Sequence, residues 1–398
     1  MDAGDFTGDL DDPGRMQTDA LIEGMNALGY AVVHMSQREL SHGYDEFIKR
    51  RDRAQFDFVS ANIVWQDSGE TLVEPYVIRQ VELREGARSR SARIAFLGLT
   101  RNNPAFLQTT ADGRRIVTID PLVVADRQMP ALKKKADVVV VLASLDLDES
   151  RTLARRVPGI DLILGGNGGQ RTRTDDFPED TQIGRTRIMY VGDQGKDLGE
   201  ARLFFGADRR IASTQRSSIP LTREWPEDPA LAGLMERAKV AVNEHNRARA
   251  EAVNPFREGT RASAPSPPVE HAYKGSEHCG SCHPKEFALW KGTGHARAFN
   301  TLTGAHQDFN PKCVGCHTVG YGRPGGFTNA KASPELVDVG CESCHGPGSR
   351  HPETIGGGFG RTDTAFCVTC HTRENSPEFD PATYIPRVRH WPEPQAPN

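Results

Sequence analysis

The chain repeats one pentapeptide pattern four times near its carboxyl end: CGSCH (279–283), CVGCH (313–317), CESCH (341–345) and CVTCH (367–371). C-x-x-C-H is the attachment signature of c-type haem. Two thiols add to the vinyl groups of one porphyrin, and the adjacent histidine binds iron as the proximal ligand. The pattern therefore predicts four covalently bound haem c groups. Their thioether cysteines are Cys279, Cys282, Cys313, Cys316, Cys341, Cys344, Cys367 and Cys370, and their proximal histidines are His283, His317, His345 and His371.

Zinc sites and disulfides are the alternatives for so many cysteines. Paired C-x-x-C motifs form zinc sites, but such sites do not require a histidine after every second cysteine. All eight cysteines lie between Cys279 and Cys370, which is too uneven a distribution for a chain held together by disulfides. Haem is the favoured interpretation, and a zinc-binding interaction module remains the alternative. A colourless protein with stoichiometric zinc would establish that alternative.

Each haem iron has a sixth coordination position that a second histidine can fill. Six histidines lie after residue 270 outside the four motifs, the first of them His271. Three are predicted distal ligands: His295 in WKGTGHARAF, His351 in HGPGSRH and His390 in VRHW. His278 abuts the first motif and His306 lies in a polar stretch, so both are secondary candidates. The sequence does not assign a distal histidine to a particular haem.

Upstream of the motifs, residues 1–254 alternate short apolar runs with helical patterns, which predicts an α/β layered domain. The predicted strands are 31–35, 57–61, 92–99, 137–143, 161–166, 187–191 and 200–205. The predicted helices include 17–28, 44–53 and a long polar helix over 229–253.

Residues 255–272 are rich in Pro, Ala and Ser and are predicted to form a linker. Beyond them, residues 273–398 show weak apolar periodicity and frequent Gly and Pro. Such a segment would struggle to build a core from side chains alone. Closely packed haems would supply the missing apolar surface, so we expect a mostly helical or irregular tetrahaem domain.

Charge and hydropathy exclude some classes of partner. The net charge is −4, so nothing draws the chain to nucleic acid, and no run approaches the roughly 18 apolar residues of a membrane span. The first residues, MDAGDFTGDLDDPG, contain no signal peptide. Haem attachment to C-x-x-C-H takes place outside the bacterial cytoplasm, so we expect a periplasmic or extracellular protein. We therefore also expect a natural start upstream of Met1 that carries the missing signal.

The haem domain resembles the cytochrome c-552/c-554-like multihaem family. The resembling stretches are YKGSEHCGSCHPKEFALWKGTGHARAF (273–299), CVGCHTVGYG (313–322), VGCESCHGPGSRH (339–351) and CVTCHTRENSPEFD (367–380). The resemblance implies electron transfer between redox partner proteins. It also implies three haems with two axial histidines each, and it allows a five-coordinate fourth.

Residues 1–206 resemble the metallophosphoesterase domain of the 5′-nucleotidase family. The matching stretches are DAGD (2–5), SANI (60–63), IAFLGLT (94–100), IDLILGG (160–166) and VGDQGKDLGEARL (191–203). The resemblance implies that Asp5 stands at the position of a metal-bridging ligand. The family's Asp-x-His motif would lie upstream of Met1.

Several metal ligands of that family are replaced. Its Gly-Asn-His-Glu reads Ser36-Gln37-Arg38-Glu39, its Leu-Ala-His reads Leu142-Ala143-Ser144, and its Gly-His-x-His reads Gly166-Asn167-Gly168-Gly169. Arg38 would put a cation where the metals sit. A two-metal phosphatase needs these ligands to hold the phosphate and generate hydroxide. We therefore expect an inactive scaffold domain in which Asp5 is a residual ligand.

Three functions follow from the sequence. An extracytoplasmic electron carrier with an inactive phosphatase-like scaffold is the leading hypothesis. A reductase of a small nitrogen or sulfur species at an open haem is the first alternative. A metallophosphatase or 5′-nucleotidase fused to a cytochrome is the second.

Overall fold

The computed structural model describes residues 1–85, 88–166, 181–192, 195–222, 224–252, 272–354, 364–372 and 375–390. It divides into two compact units, Met1–Met235 and Glu236–Asn398. The expected linker lies outside the described residues except for Ala272, so the domain boundaries drawn from the sequence stay predictions.

The first unit contains thirteen described strands. In chain order they are β1 (Val32–His34), β2 (Asp57–Val59), β3 (Ile63–Trp65), β4 (Tyr76–Glu85), β5 (Arg88–Thr100), β6 (Leu107–Thr109), β7 (Arg115–Thr118), β8 (Val138–Ser144), β9 (Leu162–Gly166), β10 (Thr181–Ile183), β11 (Thr186–Tyr190), β12 (Asp197–Phe205) and β13 (Ile211–Pro220). Its helices are α1 (Asp12–Ala27), α2 (Tyr44–Arg53), α3 (Pro121–Lys135) and α4 (Leu147–Arg156), and α5 (Pro229–Ala252) follows them.

A six-stranded sheet in the order β10-β11-β9-β8-β5-β4 forms the centre of this unit. The strands β5, β8, β9 and β11 run parallel, with antiparallel β4 and β10 at the two edges. Strand β8, VVVVLAS, is buried at every position, as expected of a parallel strand covered on both faces. The pair β1-β2, the sheet β3-β7-β6 and the hairpin β12-β13 complete the layers.

The side chains of these elements pack into three buried hydrophobic clusters. One joins the central sheet to α3 and α4 and includes Leu132 and Leu153. A second joins the sheet to β1, β2 and the β12-β13 hairpin, and a third lies beneath α1 and α2. Asn62 fastens the smaller strands to the centre, because its side-chain amide bonds the backbone of Thr100 and Ile119 at 2.7–2.8 Å. The α/β layered prediction is therefore confirmed.

The seven strands predicted from the sequence are all present, although their bounds differ by a few residues. The helix predicted at 44–53 begins and ends as expected, and those predicted at 17–28 and 229–253 run over 12–27 and 229–252. Helix α1 starts earlier because the Asp11 carboxylate accepts the amide hydrogen of Gly14 and Pro13 suits the first turn.

The second unit consists of short helices and irregular backbone. Its helices after α5 are α6 (Ser276–Gly280), α7 (Pro284–Lys291), α8 (Ala298–Gly304), α9 (Pro311–His317), α10 (Cys341–His345) and α11 (Pro381–Tyr384). Its one hydrophobic cluster in the described residues has six buried members: Phe299, Leu302, Val314, Val319, Phe327 and Leu336. This small core agrees with the expected helical and irregular haem domain. In the described part of the chain, none of the helices combines the length and apolarity of a membrane span.

Candidate haem sites and the former metal site

Each haem motif adopts a helical turn. The amide nitrogens of His283 and His371 bond the carbonyl oxygens of Cys279 and Cys367 at 2.9 Å, four residues earlier. The second and third motifs lie in α9 and α10. Residues three and four apart share one face of a helix, so both thiols and the histidine of each motif lie on the same side. That is the arrangement that two vinyl groups and one iron require.

Three motif histidines each lie opposite a histidine from a distant part of the unit. The ring centroids of His283 and His351 are 6.0 Å apart. Those of His371 and His295 are 6.1 Å apart, and those of His345 and His390 are 5.8 Å apart. Two imidazoles bonded at roughly 2 Å to opposite sides of one metal ion have their centroids about 6 Å apart. The spacing of all three pairs therefore fits an iron between two axial histidines.

Hydrogen bonds at Nδ1 orient several of these rings. His390 Nδ1 lies 2.9 Å from the carbonyl oxygen of Val388, and His371 Nδ1 lies 3.1 Å from the hydroxyl of Ser376. A bond at Nδ1 leaves Nε2 as the nitrogen that can bind a metal. The ring of Phe379 also stacks on His371, with 4.5 Å between centroids. These contacts hold the rings in ligand orientation.

His317 of the second motif differs from the other three. Its Nδ1 lies 2.7 Å from the carbonyl oxygen of Ala298 and 3.4 Å from the hydroxyl of Thr301, so Nε2 is again left for a metal. Within the described ranges, no other histidine ring lies opposite it. The three histidines predicted to be distal ligands are all opposite other motifs.

The two secondary distal candidates are not opposite any motif histidine in the described part of the unit. His278 is exposed in α6. His306 has a positive φ of 52° and its Nε2 lies 3.4 Å from a carboxylate oxygen of Glu236. His271 lies outside the described residues.

The cysteines give the order in which the motifs are packed. A hydrogen bond between the thiols of Cys279 and Cys341 raises the pKa of Cys279 and lowers that of Cys341. Burial, followed by the nearby thiol of Cys370, raises the pKa of Cys316 to about 11. Burial raises the pKa of Cys344 to about 11, with smaller contributions from the nearby fourth-motif cysteines. The motifs therefore adjoin in the order first, third, fourth, second.

Glu342, inside the third motif, is a structural residue that the sequence analysis missed. Its carboxylate is 4% exposed and accepts the backbone hydrogens of Lys274, Gly275 and Gly348 at 2.6–3.0 Å. It thus ties the segment before the first motif to the segment after the third. The available signal was its charge, because the variable positions of the other motifs are Gly, Ser, Val or Thr.

In the first unit, two serine hydroxyls bond the carboxylate of Asp5. Ser36 Oγ donates to Oδ1 and Ser144 Oγ donates to Oδ2, each at 2.5 Å. Asp5 has a positive φ of 64° and follows the first residues of the chain, which pair with β1. Both serines lie in segments where the phosphatase family has metal-site residues. Each carboxylate oxygen of Asp5 accepts a hydrogen bond from one of the two hydroxyl groups.

Glu39 and His34 are buried beside this carboxylate. Glu39 accepts the backbone hydrogens of Asp5, Phe6, Thr7 and Ser36 and lies 2.7 Å from Ser36 Oγ. Burial, followed by the charge of Asp5, raises the pKa of Glu39. His34 bonds the carbonyl oxygen of Val59 and the hydroxyl of Thr100, and burial lowers its pKa to about 4. The carboxylate of Asp5 is thus surrounded by the protein's own polar groups.

The other replaced positions are also engaged within the protein. The side chain of Gln37 donates to the carbonyl oxygen of Arg101. The guanidinium of Arg38 donates to the carbonyl oxygen of Thr7 and lies 3.8 Å from the carboxylate of Asp9. Residues 167–169 lie outside the described ranges. In the described residues, no three side chains of His, Cys, Asp or Glu form a group that could hold a metal ion. The described donors do not fit the two-metal centre of the phosphatase family.

Comparison with known proteins shows what the haem-motif region is similar to. The family model "Cytochrome c554 and c-prime" matches residues 278–346. Cytochrome c-554 of Nitrosomonas europaea is 36% identical over 104 residues, which are 22% of this chain and 44% of that protein. The haem-motif region is thus similar to cytochrome c554, and the family model covers its first three motifs. Covalently bound haem c is the cofactor of such a domain.

The first unit is similar to nucleotide phosphoesterases. A 2′,3′-cyclic-nucleotide 2′-phosphodiesterase/3′-nucleotidase of Yersinia enterocolitica is 28% identical over 169 residues, 39% of this chain and 26% of that protein. The sulfate thiohydrolase SoxB of Thermus thermophilus has a TM-score of 0.50 at 20% identity, over 60% of this chain and 42% of that one. The chain thus joins a phosphoesterase fold to a cytochrome domain, and it spans less than half the length of these curated relatives.

Proposed function

We propose that this protein carries electrons outside the cytoplasm through four covalently bound haem c groups. The observation that carries the proposal is the set of three histidine pairs with centroids 5.8–6.1 Å apart. Each pair joins the histidine of one C-x-x-C-H motif to one histidine elsewhere in the unit. Two axial histidines make a low-spin haem that exchanges single electrons and leaves no position for a substrate.

The axial ligands follow from these pairs. His283 and His351 would hold the first haem, His345 and His390 the third, and His371 and His295 the fourth. The adjoining cysteines give a relay order of first, third, fourth and second haem. The small side-chain core of this unit agrees with haems as its main buried apolar surface. Redox proteins would then donate and accept electrons at the two ends of the relay.

The second motif favours one alternative function. His317 is oriented for iron but is opposite no histidine in the described residues, so we infer a five-coordinate haem at this end of the relay. An open position can bind a small molecule. A reductase of a small nitrogen or sulfur species is therefore the second candidate, and it would use the other three haems as its electron supply.

For the first unit we infer a scaffold or docking domain without phosphatase activity. Asp5, the residual metal ligand, is bonded by Ser36 and by Ser144, and Ser144 stands where the phosphatase family has a histidine. A metal ion at Asp5 would have to displace both hydroxyls and would gain few ligands in return. Release of phosphate from a nucleotide by the metal-loaded, full-length protein would contradict this inference.

We infer a periplasmic or extracellular location for the same protein. Haem attachment to C-x-x-C-H takes place outside the bacterial cytoplasm, and the cytochrome c-554 and nucleotidase relatives are of exported types. Fractionation of cells that express the full-length gene tests this inference. Haem-stained protein confined to the cytoplasm would contradict it.

Spectroscopy of the exported, haem-loaded protein tests the proposed function. The pyridine haemochrome assay should give four haems per chain. The EPR spectrum of the ferric protein should contain three low-spin haems and one high-spin haem. Reduction under nitric oxide should give an adduct at one haem only. Four low-spin haems would restrict the protein to electron transfer, and turnover of a nitrogen or sulfur substrate would favour the reductase. Stoichiometric zinc without haem would contradict both.

A further inference from the structure

One peptide group lies between the ring of His317 and the side chain of Asp338. The carbonyl oxygen of this group belongs to Ala298 and lies 2.7 Å from His317 Nδ1. Its N–H belongs to Phe299 and donates to Asp338 Oδ1 at 2.9 Å. The two hydrogen bonds are therefore in series, from imidazole to peptide to carboxylate.

The backbone holds Asp338 in this position. Thr318, next to His317, forms an antiparallel bridge with Val337, and the amide of Val319 bonds the carbonyl oxygen of Leu336 at 2.9 Å. Asp338 itself has a φ of 69°, in the left-handed region that few residues other than glycine adopt. Strained residues of this kind persist only where the surroundings fix them, and they are frequent at functional sites.

Such a series makes the carbonyl oxygen of Ala298 a stronger acceptor for the imidazole of His317. A carboxylate at the N–H end polarises the peptide and increases the negative charge on its carbonyl oxygen. A histidine that donates from Nδ1 to a stronger acceptor becomes a more basic metal ligand. A more basic ligand favours the ferric over the ferrous iron, because it donates more charge to the metal.

We propose that Asp338 is a positioning and tuning residue for His317, and that it acts through the Ala298–Phe299 peptide. It fixes the orientation of that peptide and, by its charge, lowers the reduction potential of the haem bound at the second motif. This inference rests on the proposed function, because it requires a haem with His317 as its single axial histidine.

Two substitutions separate the charge of Asp338 from its geometry. Asp338→Asn keeps an oxygen that can accept from Phe299, tolerates a positive φ and removes only the charge. Asp338→Gly keeps the backbone angle but removes the acceptor as well. Asp308→Asn is the matched control, because the carboxylate of Asp308 accepts from the side chain of Asn243, away from the His317 series.

The measurements are redox titration and resonance Raman spectroscopy of the full-length, haem-loaded variants. In Asp338→Asn we expect the midpoint potential of the high-spin haem to rise by about 59 mV, a tenfold change for a one-electron couple. The Fe–His stretching band of the ferrous five-coordinate haem should move to lower frequency. Asp338→Gly should shift both further, and the control should shift neither.

The outcomes distinguish this inference from the proposed function. A wild-type protein without a high-spin haem would overturn the proposed five-coordinate site and this inference with it. If the wild type has a high-spin haem but its Fe–His band has the same frequency in Asp338→Asn, this inference alone would be overturned. A band that moves only in Asp338→Gly would limit Asp338 to a structural role and would equally overturn the tuning.

Discussion

The rings of His295 and His371 face each other with their centroids 6.1 Å apart, although 76 positions separate them in the chain (371 − 295 = 76). His295 begins a short 3-10 helix that leads directly into Ala298, whose carbonyl oxygen accepts from His317. In the proposed arrangement, one short segment would thus supply a ligand for the fourth haem and orient the ligand of the second. Burial and the neighbouring His371 lower the pKa of His295, which keeps its ring neutral and able to bind iron.

His295→Ala should convert one low-spin haem to a high-spin haem, because the fourth iron loses its sixth ligand. EPR of the ferric protein should then contain two low-spin and two high-spin species, while the haem content stays at four. His306→Ala is the control, since His306 lies against Glu236 and is opposite no motif histidine in the described residues. A control that loses a low-spin signal would contradict the assigned pairs.

Glu342→Ala should destabilise the cytochrome domain. The substitution removes the acceptor of three backbone hydrogens from a site that is 4% exposed. Each unsatisfied buried donor costs roughly 1–3 kcal/mol, so we expect a loss of several kcal/mol in the free energy of unfolding or a failure of haem incorporation. Thermal unfolding and haem content measure this. Glu335→Ala, at an exposed position, should leave both unchanged. Equal stability of the two variants would exclude this role for Glu342.

The first unit should be stable without divalent metal. Addition of Mn²⁺ or EDTA to the full-length protein should not change hydrogen exchange in peptides that cover residues 31–39 and 138–146. Asp5→Ala should increase exchange in both, because Ser36 and Ser144 lose their acceptor, at a cost of roughly 1–3 kcal/mol. Asp52→Ala, at the exposed end of α2, is the control. Protection that rises with Mn²⁺ and falls with EDTA would instead indicate a working metal site.

The stability that His34 contributes to this unit should be lost as the solution is acidified, whereas the raised pKa of Glu39 acts in the opposite direction. Burial lowers the pKa of His34 to about 4 from an ordinary value near 6.5, so the folded state keeps the neutral ring. The unfolded state binds a proton first, so the contribution of His34 is present above about pH 6.5 and is lost as the pH falls toward 4. A shift of this size corresponds to about 3 kcal/mol. The difference in hydrogen exchange at β1 between the wild type and His34→Gln, corrected for the intrinsic rate, measures it.

His34→Gln should reduce the pH dependence of exchange at β1 between pH 6.5 and 4, although it also lowers stability at neutral pH. His306→Gln, at an exposed position, should preserve the pH dependence. An unaltered dependence in His34→Gln would mean that another group titrates in this range.

The sequence alone predicted the haem attachment sites, because the chemistry of attachment is local. Two thiols and a histidine must lie within one helical turn, so the C-x-x-C-H pattern is sufficient to recognise them. It also predicted the strands of the first unit, since continuous apolar runs such as VVVVLAS at 138–144 are typical of buried parallel strands. The replacement of phosphatase-family residues by Gln37, Arg38 and Ser144 was likewise predicted from the residues themselves.

Only the tertiary structure decided which residues meet. The partners of the three paired motif histidines come from positions that no periodicity connects to them, as with His283 and His351. The serines that bond Asp5 and the peptide that links His317 to Asp338 are likewise brought together by the fold. The physical reason is range: a helical turn or a strand is set by neighbours in the chain, whereas an axial ligand or a buried hydrogen bond depends on how distant segments pack.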